Sequence, residues 1–153
     1  MLTKIIWLKN GPWLKQHDID YNGNGLFSVY DNGVIDSYNN LISENIPKKI
    51  IKNNLNSIKT LDIKNNIIKE KISLTKKHGI FTGEEGLHRV LNNGDVIIEE
   101  TTKGLIHRIS NNNELIWSFA NTLSKEYIGS LHWSRYYLRN ELDLSWMKGT
   151  SCK

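Results

Sequence analysis

The chain has 153 residues, of which 39% are hydrophobic and 24% charged, which suits one ordinary folded domain and excludes a disordered or low-complexity segment. Its formal charge of +4 comes from 20 Lys and Arg against 16 Asp and Glu. The lysines scatter through the middle of the chain and form no basic face interleaved with aromatics, so they read as a solvated surface rather than a nucleic-acid footprint.

The single cysteine, Cys152, stands next to the last residue and offers neither an intrachain disulfide nor a thiolate metal site. No apolar run approaches the roughly 18 residues of a membrane span, and Met1 to Trp7 lacks the apolar core of a signal peptide. No membrane contact is expected, and the compartment is left open.

In chain order, Lys4-Ile5-Ile6-Trp7-Leu8 predicts a strand. The stretch from Gly11 to Gly33 then reads as strand, Asn-Gly turn, strand and a second Asn-Gly turn, with His17 near the start of the first strand. Residues 34–56 form a long polar passage with Pro47 and the Lys48 to Lys52 cluster, expected to be an inserted loop, with or without a helical turn. Ser57 to Ile63 and Ile67 to Thr75 are predicted strands around the turn Lys64-Asn65-Asn66.

From Gly86 four short strands follow in quick succession: Leu87 to Leu91, Val96 to Thr101, Leu105 to Ile109 and Glu114 to Phe119. The spacing leaves no room for crossover helices and fits an antiparallel meander. The aromatic-rich tail from Tyr127 to Met147 predicts one more strand and a closing segment.

An internal repeat points to the fold class. Gln16 to Gly33 lies over Leu87 to Gly104 at a shift of 71 without a gap, placing His17 on His88, Asn22-Gly23-Asn24 on Asn93-Gly94-Asp95, and Gly33 on Gly104. Leu115-Ile116-Trp117 also echoes Ile5-Ile6-Trp7. A repeated four-stranded meander is the pattern of a propeller blade. The predicted class is therefore all-β, a partial β-propeller of four-stranded antiparallel blades with a long inserted loop; the alternative is a compact sheet that is no propeller. Two full blades span 12–75 and 81–119, with blade remnants at 3–8 and 127–147. Because a ring needs about four to eight blades, the expectation is a C-terminal piece of a longer protein or a partner in a composite ring, its missing blades supplied by further chain or by a homo-oligomer.

The series Gln16-His17, Asn22-Gly23-Asn24 and Asp31-Asn32-Gly33 resembles the arylsulfotransferase family of the PAPS-independent β-propeller type. The likeness continues through Thr82-Gly83-Glu84-Glu85-Gly86-Leu87, Leu91 to Asp95 with Glu99-Glu100, Gly104 to Arg108, Leu115-Ile116-Trp117 and Trp133-Ser134-Arg135. It implies transfer of a sulfuryl group from an aryl sulfate donor to a phenolic acceptor through a sulfated histidine, with no cofactor, in a family whose members are often exported. His17 stands where the family has its nucleophile. By the same likeness Thr82 falls where the family places an active-site hydroxyl.

Other candidates carry two readings each. Arg135 suits bidentate sulfate binding or serves as a surface or blade-closing residue. His88, at the same repeat position as His17, either faces a shared channel or is a structural echo of the repeat. Asn32 most simply serves its turn. His78, His107 and His132 have no partner at metal-ligand spacing, so no zinc site is predicted. The family's earlier blades supply further histidines and an arginine to the sulfate site. These are not found in this chain, which keeps open a non-catalytic propeller that binds a ligand or a protein.

Overall fold

The computed structural model describes residues 4, 5, 7–34 and 55–145. Most of the expected insertion, residues 35–54, and the chain beyond residue 145 lie outside them. The described residues form two four-stranded antiparallel sheets and almost no helix. The first sheet runs β1 (Gln16–Tyr21), β2 (Leu26–Asp31), β3 (Ser57–Asp62), β4 (Ile67–Ser73), and the second β5 (Leu87–Val90), β6 (Val96–Glu100), β7 (Leu105–Ile109), β8 (Leu115–Ala120), each in sequence order.

The turns explain the order. Gly23, Asn24 and Gly25 all take positive φ between β1 and β2, which glycine and asparagine adopt at little cost. Between β3 and β4 the Asp62 carboxylate accepts the backbone N–H of Lys64 at 3.0 Å and of Asn65 at 3.1 Å. Links this short pair the strands they join, while β2 and β3 pair across the long passage from residue 32 to 56, so each sheet keeps sequence order.

The sheets share one core of Tyr30, Ile58, Ile72 and Leu74 from the first sheet and its exit, Ile80 from the link, and Val96, Ile98 and Ile109 from the second. Each fully buried side chain of this size contributes about 1.5–3 kcal/mol. Gly33 and Gly104 both come after the second strand of their sheet, with φ of 59° and 61°. A Cβ at Gly33 would meet the carbonyl of Leu55 and one at Gly104 that of Gly129, so the tight corner after β2 and the one before β7 require glycine.

Three predicted elements differ. Residues 4, 5, 7 and 8 form no strand, and Ile5 and Leu8 are exposed; among the described residues no strand offers them a ladder. The strand predicted to reach Thr75 ends at Ser73 and becomes a short helix, α1 (Leu74–His78), because the carbonyl of Asn56 takes the N–H groups of both Leu74 and Thr75. The described part of the tail is a loop, with one bridge between Thr122 and Ile128 and a 3₁₀ turn at Arg139–Glu141. Side chains pin it instead of a ladder: Ser134 N–H donates to Glu99 at 2.7 Å, and Arg89 donates to the Tyr136 carbonyl at 2.8 Å.

Candidate functional site

His17 lies on β1 opposite Tyr30, one residue before a bulge at Asp18, whose φ is +47°. Its Nδ1 sits 2.9 Å from Oδ1 of Asn32, which follows the end of β2. Asn32 is fully buried, and its Nδ2 donates to the carbonyls of Thr82 at 3.0 Å and Glu85 at 2.8 Å, both on the link into the second sheet. The Asn32 carbonyl accepts from Asn56 Nδ2, and Asn56 Oδ1 in turn accepts the Thr82 N–H at 2.6 Å and the Tyr30 hydroxyl at 3.3 Å. Burial, reinforced by the charges of Glu100 and Glu99, pushes the Tyr30 hydroxyl far up, so it stays a donor.

Asn32 thus does more than serve its turn. A sequence signal existed: Ser28, Tyr30 and Asn32 alternate onto one face of β2 and its continuation, and Tyr30 is the cross-strand neighbour of His17. Thr82 joins the network through its backbone. Its side chain is buried, and its hydroxyl donates to the Glu84 carbonyl.

His88 is not the counterpart of His17. The turns after β1 and β5 have equal length, and the pairs Tyr21–Phe27 and Val90–Val96 that flank them are 69 positions apart. Across the bulge at Asp18, the residue in the place of His17 is therefore Leu87, opposite Glu99 as His17 is opposite Tyr30. His88 corresponds to Ile19 and points from the second sheet at the first. The 71-residue sequence match is two residues out along the hairpin and, across the bulge, one residue out at His17, and an offset of one reverses the face of a strand.

His88 instead fastens the two sheets together. Its Nδ1 is 2.9 Å from Asp18 Oδ2, which also accepts the His88 N–H at 2.6 Å, and its Nε2 is 2.7 Å from Ser28 Oγ. The bonding order is Asp–His–Ser, but Ser28 is fully buried between the sheets and closed to substrate. Burial works against the Asp18 charge, yet the interactions with His88, its two hydrogen bonds first, together with the charge of Arg135 hold the carboxyl below the usual aspartate range. Asp20 is pushed the other way, by burial first and then by the negative charge of Asp18. Asp18, Asp20 and His88 offer donor atoms within 4.8 Å of one another, but both ring nitrogens of His88 are already engaged.

A cavity of about 820 Å³ opens beside this clamp, lined among others by Asp20, Arg89, Trp117, Arg135 and Tyr136. Neither His17 nor Thr82 lines it. Arg135 is exposed, stacks over the Trp133 ring at 4.9 Å and donates to the Ser134 carbonyl at 3.0 Å. The sequence-predicted residues therefore fall into two groups: His17 with the backbone of Thr82, and His88 with Arg135 on the cavity side.

The remaining histidines are held separately. His107 lies between Ser118 at 2.8 Å and Glu100 at 3.2 Å. Burial opposes the Glu100 charge, but bonds from His107, Lys103 and the Phe81 N–H keep its carboxyl below the usual range. His78 meets Asn113 at 2.8 Å, and His132 meets Glu85 at 2.8 Å.

Residues 2–122, most of the chain, match the family model described as arylsulfotransferase (ASST). No curated protein and no solved structure matches the chain.

Proposed function

Because the chain belongs to the arylsulfotransferase (ASST) family, we propose that it transfers a sulfuryl group from an aryl sulfate to a phenolic acceptor, with His17 carrying the group between them. The observation that supports His17 is its bond to the buried Asn32, which holds the ring at the start of β1 while leaving it half-exposed. A neutral imidazole nitrogen attacks sulfur in line and expels the donor phenolate. The acceptor phenol then attacks the sulfohistidine, so the kinetics are ping-pong. Charge on the sulfuryl oxygens calls for cations or hydrogen-bond donors. Arg135 lies on the cavity side, apart from His17, so that role at His17 falls to groups beyond those the structure brings to it.

In this reading the two sheets are two blades of a propeller. The apolar side chains exposed along β8, Leu115, Ile116, Trp117 and Phe119, support further blades beside the second sheet, from additional chain or additional copies. Those blades would complete the sulfate site around His17.

Incubation with a chromogenic aryl sulfate and a phenol acceptor is expected to release the donor phenol, and His17→Ala to reduce release to background. Undiminished release from the variant sinks the assignment. The cavity lined by Arg135 but not by His17 favours a second reading, a propeller that binds an anionic ligand without turnover. In that case donor binds with the same affinity in His17→Ala and no phenol appears from either protein.

A further inference from the structure

We propose that Asn32 is a positioning residue that makes Nε2 the reacting nitrogen of His17; this rests on the reading of His17 as the sulfuryl carrier. The groups facing Nδ2 of Asn32 are the carbonyl oxygens of Thr82 and Glu85, at 3.0 and 2.8 Å, and a carbonyl only accepts. The amide is therefore oriented with both N–H groups toward the link and Oδ1 toward His17. Oδ1 is an acceptor 2.9 Å from Nδ1, so the neutral ring carries its proton on Nδ1 and its lone pair on Nε2.

The amide is not free to turn over. Asn32 has no exposed surface, and Asn56 holds its backbone carbonyl while Asn56 is itself bonded to the Thr82 N–H and the Tyr30 hydroxyl. Reversing it would set its oxygen against the carbonyl oxygens of Thr82 and Glu85, whichever tautomer the ring adopted, and leave buried acceptors unpaired.

The chemistry then balances without a second tautomer. The Nε2 lone pair forms the N–S bond as the S–O bond to the donor breaks, and that electron pair leaves on the phenolate oxygen. The ring becomes an N-sulfo imidazolium whose charge is shared with Nδ1–H, so its bond to Asn32 Oδ1 becomes charge-assisted and strengthens as the adduct forms. An interaction stronger in the transition state than in the ground state accelerates the step. In the return half the acceptor oxygen bonds to sulfur, the S–N pair returns to Nε2, and the proton lost by the acceptor matches the one taken up by the departed phenolate. The corresponding pair in the second sheet, Leu87 and Thr101, has nothing of this kind.

The test begins with the unaltered, ¹⁵N-labelled chain, without donor, at a pH where His17 is neutral. The expected spectrum shows a pyrrole-type Nδ1 and a pyridine-type Nε2; the reverse assignment overturns the proposal. Exposure to an aryl sulfate without acceptor is expected to place the sulfuryl group on Nε2, and an Nδ1 adduct also overturns it. The expected tautomer with no sulfuryl uptake upholds the hold of Asn32 on the ring and defeats the function proposed above. Asn32→Ala is expected to show mixed tautomers and a kcat lower by about 10–100-fold with KM unchanged. A single unchanged tautomer in that variant contradicts the role given to Asn32.

Discussion

The first and second sheets share one plan, four antiparallel strands opening on hairpin turns of equal length, yet they hold different things at matching positions. His17, Tyr30 and Asn32 of the first sheet correspond to Leu87, Glu99 and Thr101 of the second. The Asn32 amide finds its partners on the link into the neighbouring sheet, whereas the Thr101 hydroxyl bonds Glu99 of its own sheet at 3.3 Å. The face of the first sheet that bears Tyr30 and Ser28 is closed by the second sheet. The matching face of the second, with Ile97 and Glu99, borders the cavity and is partly covered by the tail at Ser134. The scaffold repeats, and the candidate chemistry lies where two copies of it meet.

Paired substitutions at matching positions test that contrast. The largest difference is expected at Tyr30 and Glu99. Tyr30→Ala removes a fully buried ring from the shared core and is expected to cost about 3–5 kcal/mol by chemical denaturation. Glu99→Ala is expected to cost about 1 kcal/mol, the scale of its hydrogen bonds to Ser134 and Thr101. Equal losses at the two positions would mean that the hold of Glu99 on the tail is worth as much as the packing of Tyr30 in the shared core.

Next come His88 and Ile19. His88→Ala leaves the buried Ser28 hydroxyl with Asn22 as its one partner and strips Asp18 of both its bonds from His88, for an expected loss of about 2 kcal/mol. Ile19→Ala, on the exposed side of β1, is expected to stay within about 0.5 kcal/mol. A comparable loss at Ile19 breaks the register equivalence.

The smallest effect is a pH dependence. The Asp18 carboxyl titrates below its ordinary value of 3.8 in the folded chain, so its charged form stabilises the fold above that value, and the contribution is lost as pH falls through the lower folded value. Asp20, raised by burial and by Asp18, acts in the opposite sense: it favours the fold at low pH, and that contribution is lost as pH rises through its raised value. Asp18→Asn is therefore expected to flatten the acid limb of a stability profile measured from about pH 5 down to about pH 2. An unchanged limb assigns the acid sensitivity to other carboxylates, Glu100 first.

Much of the fold was legible. Short alternating runs separated by Asn-Gly and Lys-Asn-Asn turns gave all eight strands, because a pleated strand and a positive-φ turn are local demands on residue type. The family likeness seen in Gln16-His17 and Asp31-Asn32-Gly33 agrees with the family match over residues 2–122. Lys4 to Leu8 misled because an apolar β-branched run signals a strand only when a neighbour offers a ladder. The helix at Leu74 was hidden because the group that starts it is the carbonyl of Asn56, remote in sequence.

The sequence by itself determined the strands, their turns, the antiparallel order and the family, since each follows from periodicity, turn chemistry or residue series read along the chain. Only the tertiary structure decided which histidine faces which way and who its partners are. Side-chain direction reverses with every residue, and the paired registers, shifted by one across the bulge at Asp18, set Leu87 in the place of His17 and turn His88 to the other face. The groups that orient Asn32, and through it His17, come from 50 and 53 positions along the chain, and they meet it only once the second sheet packs against the first.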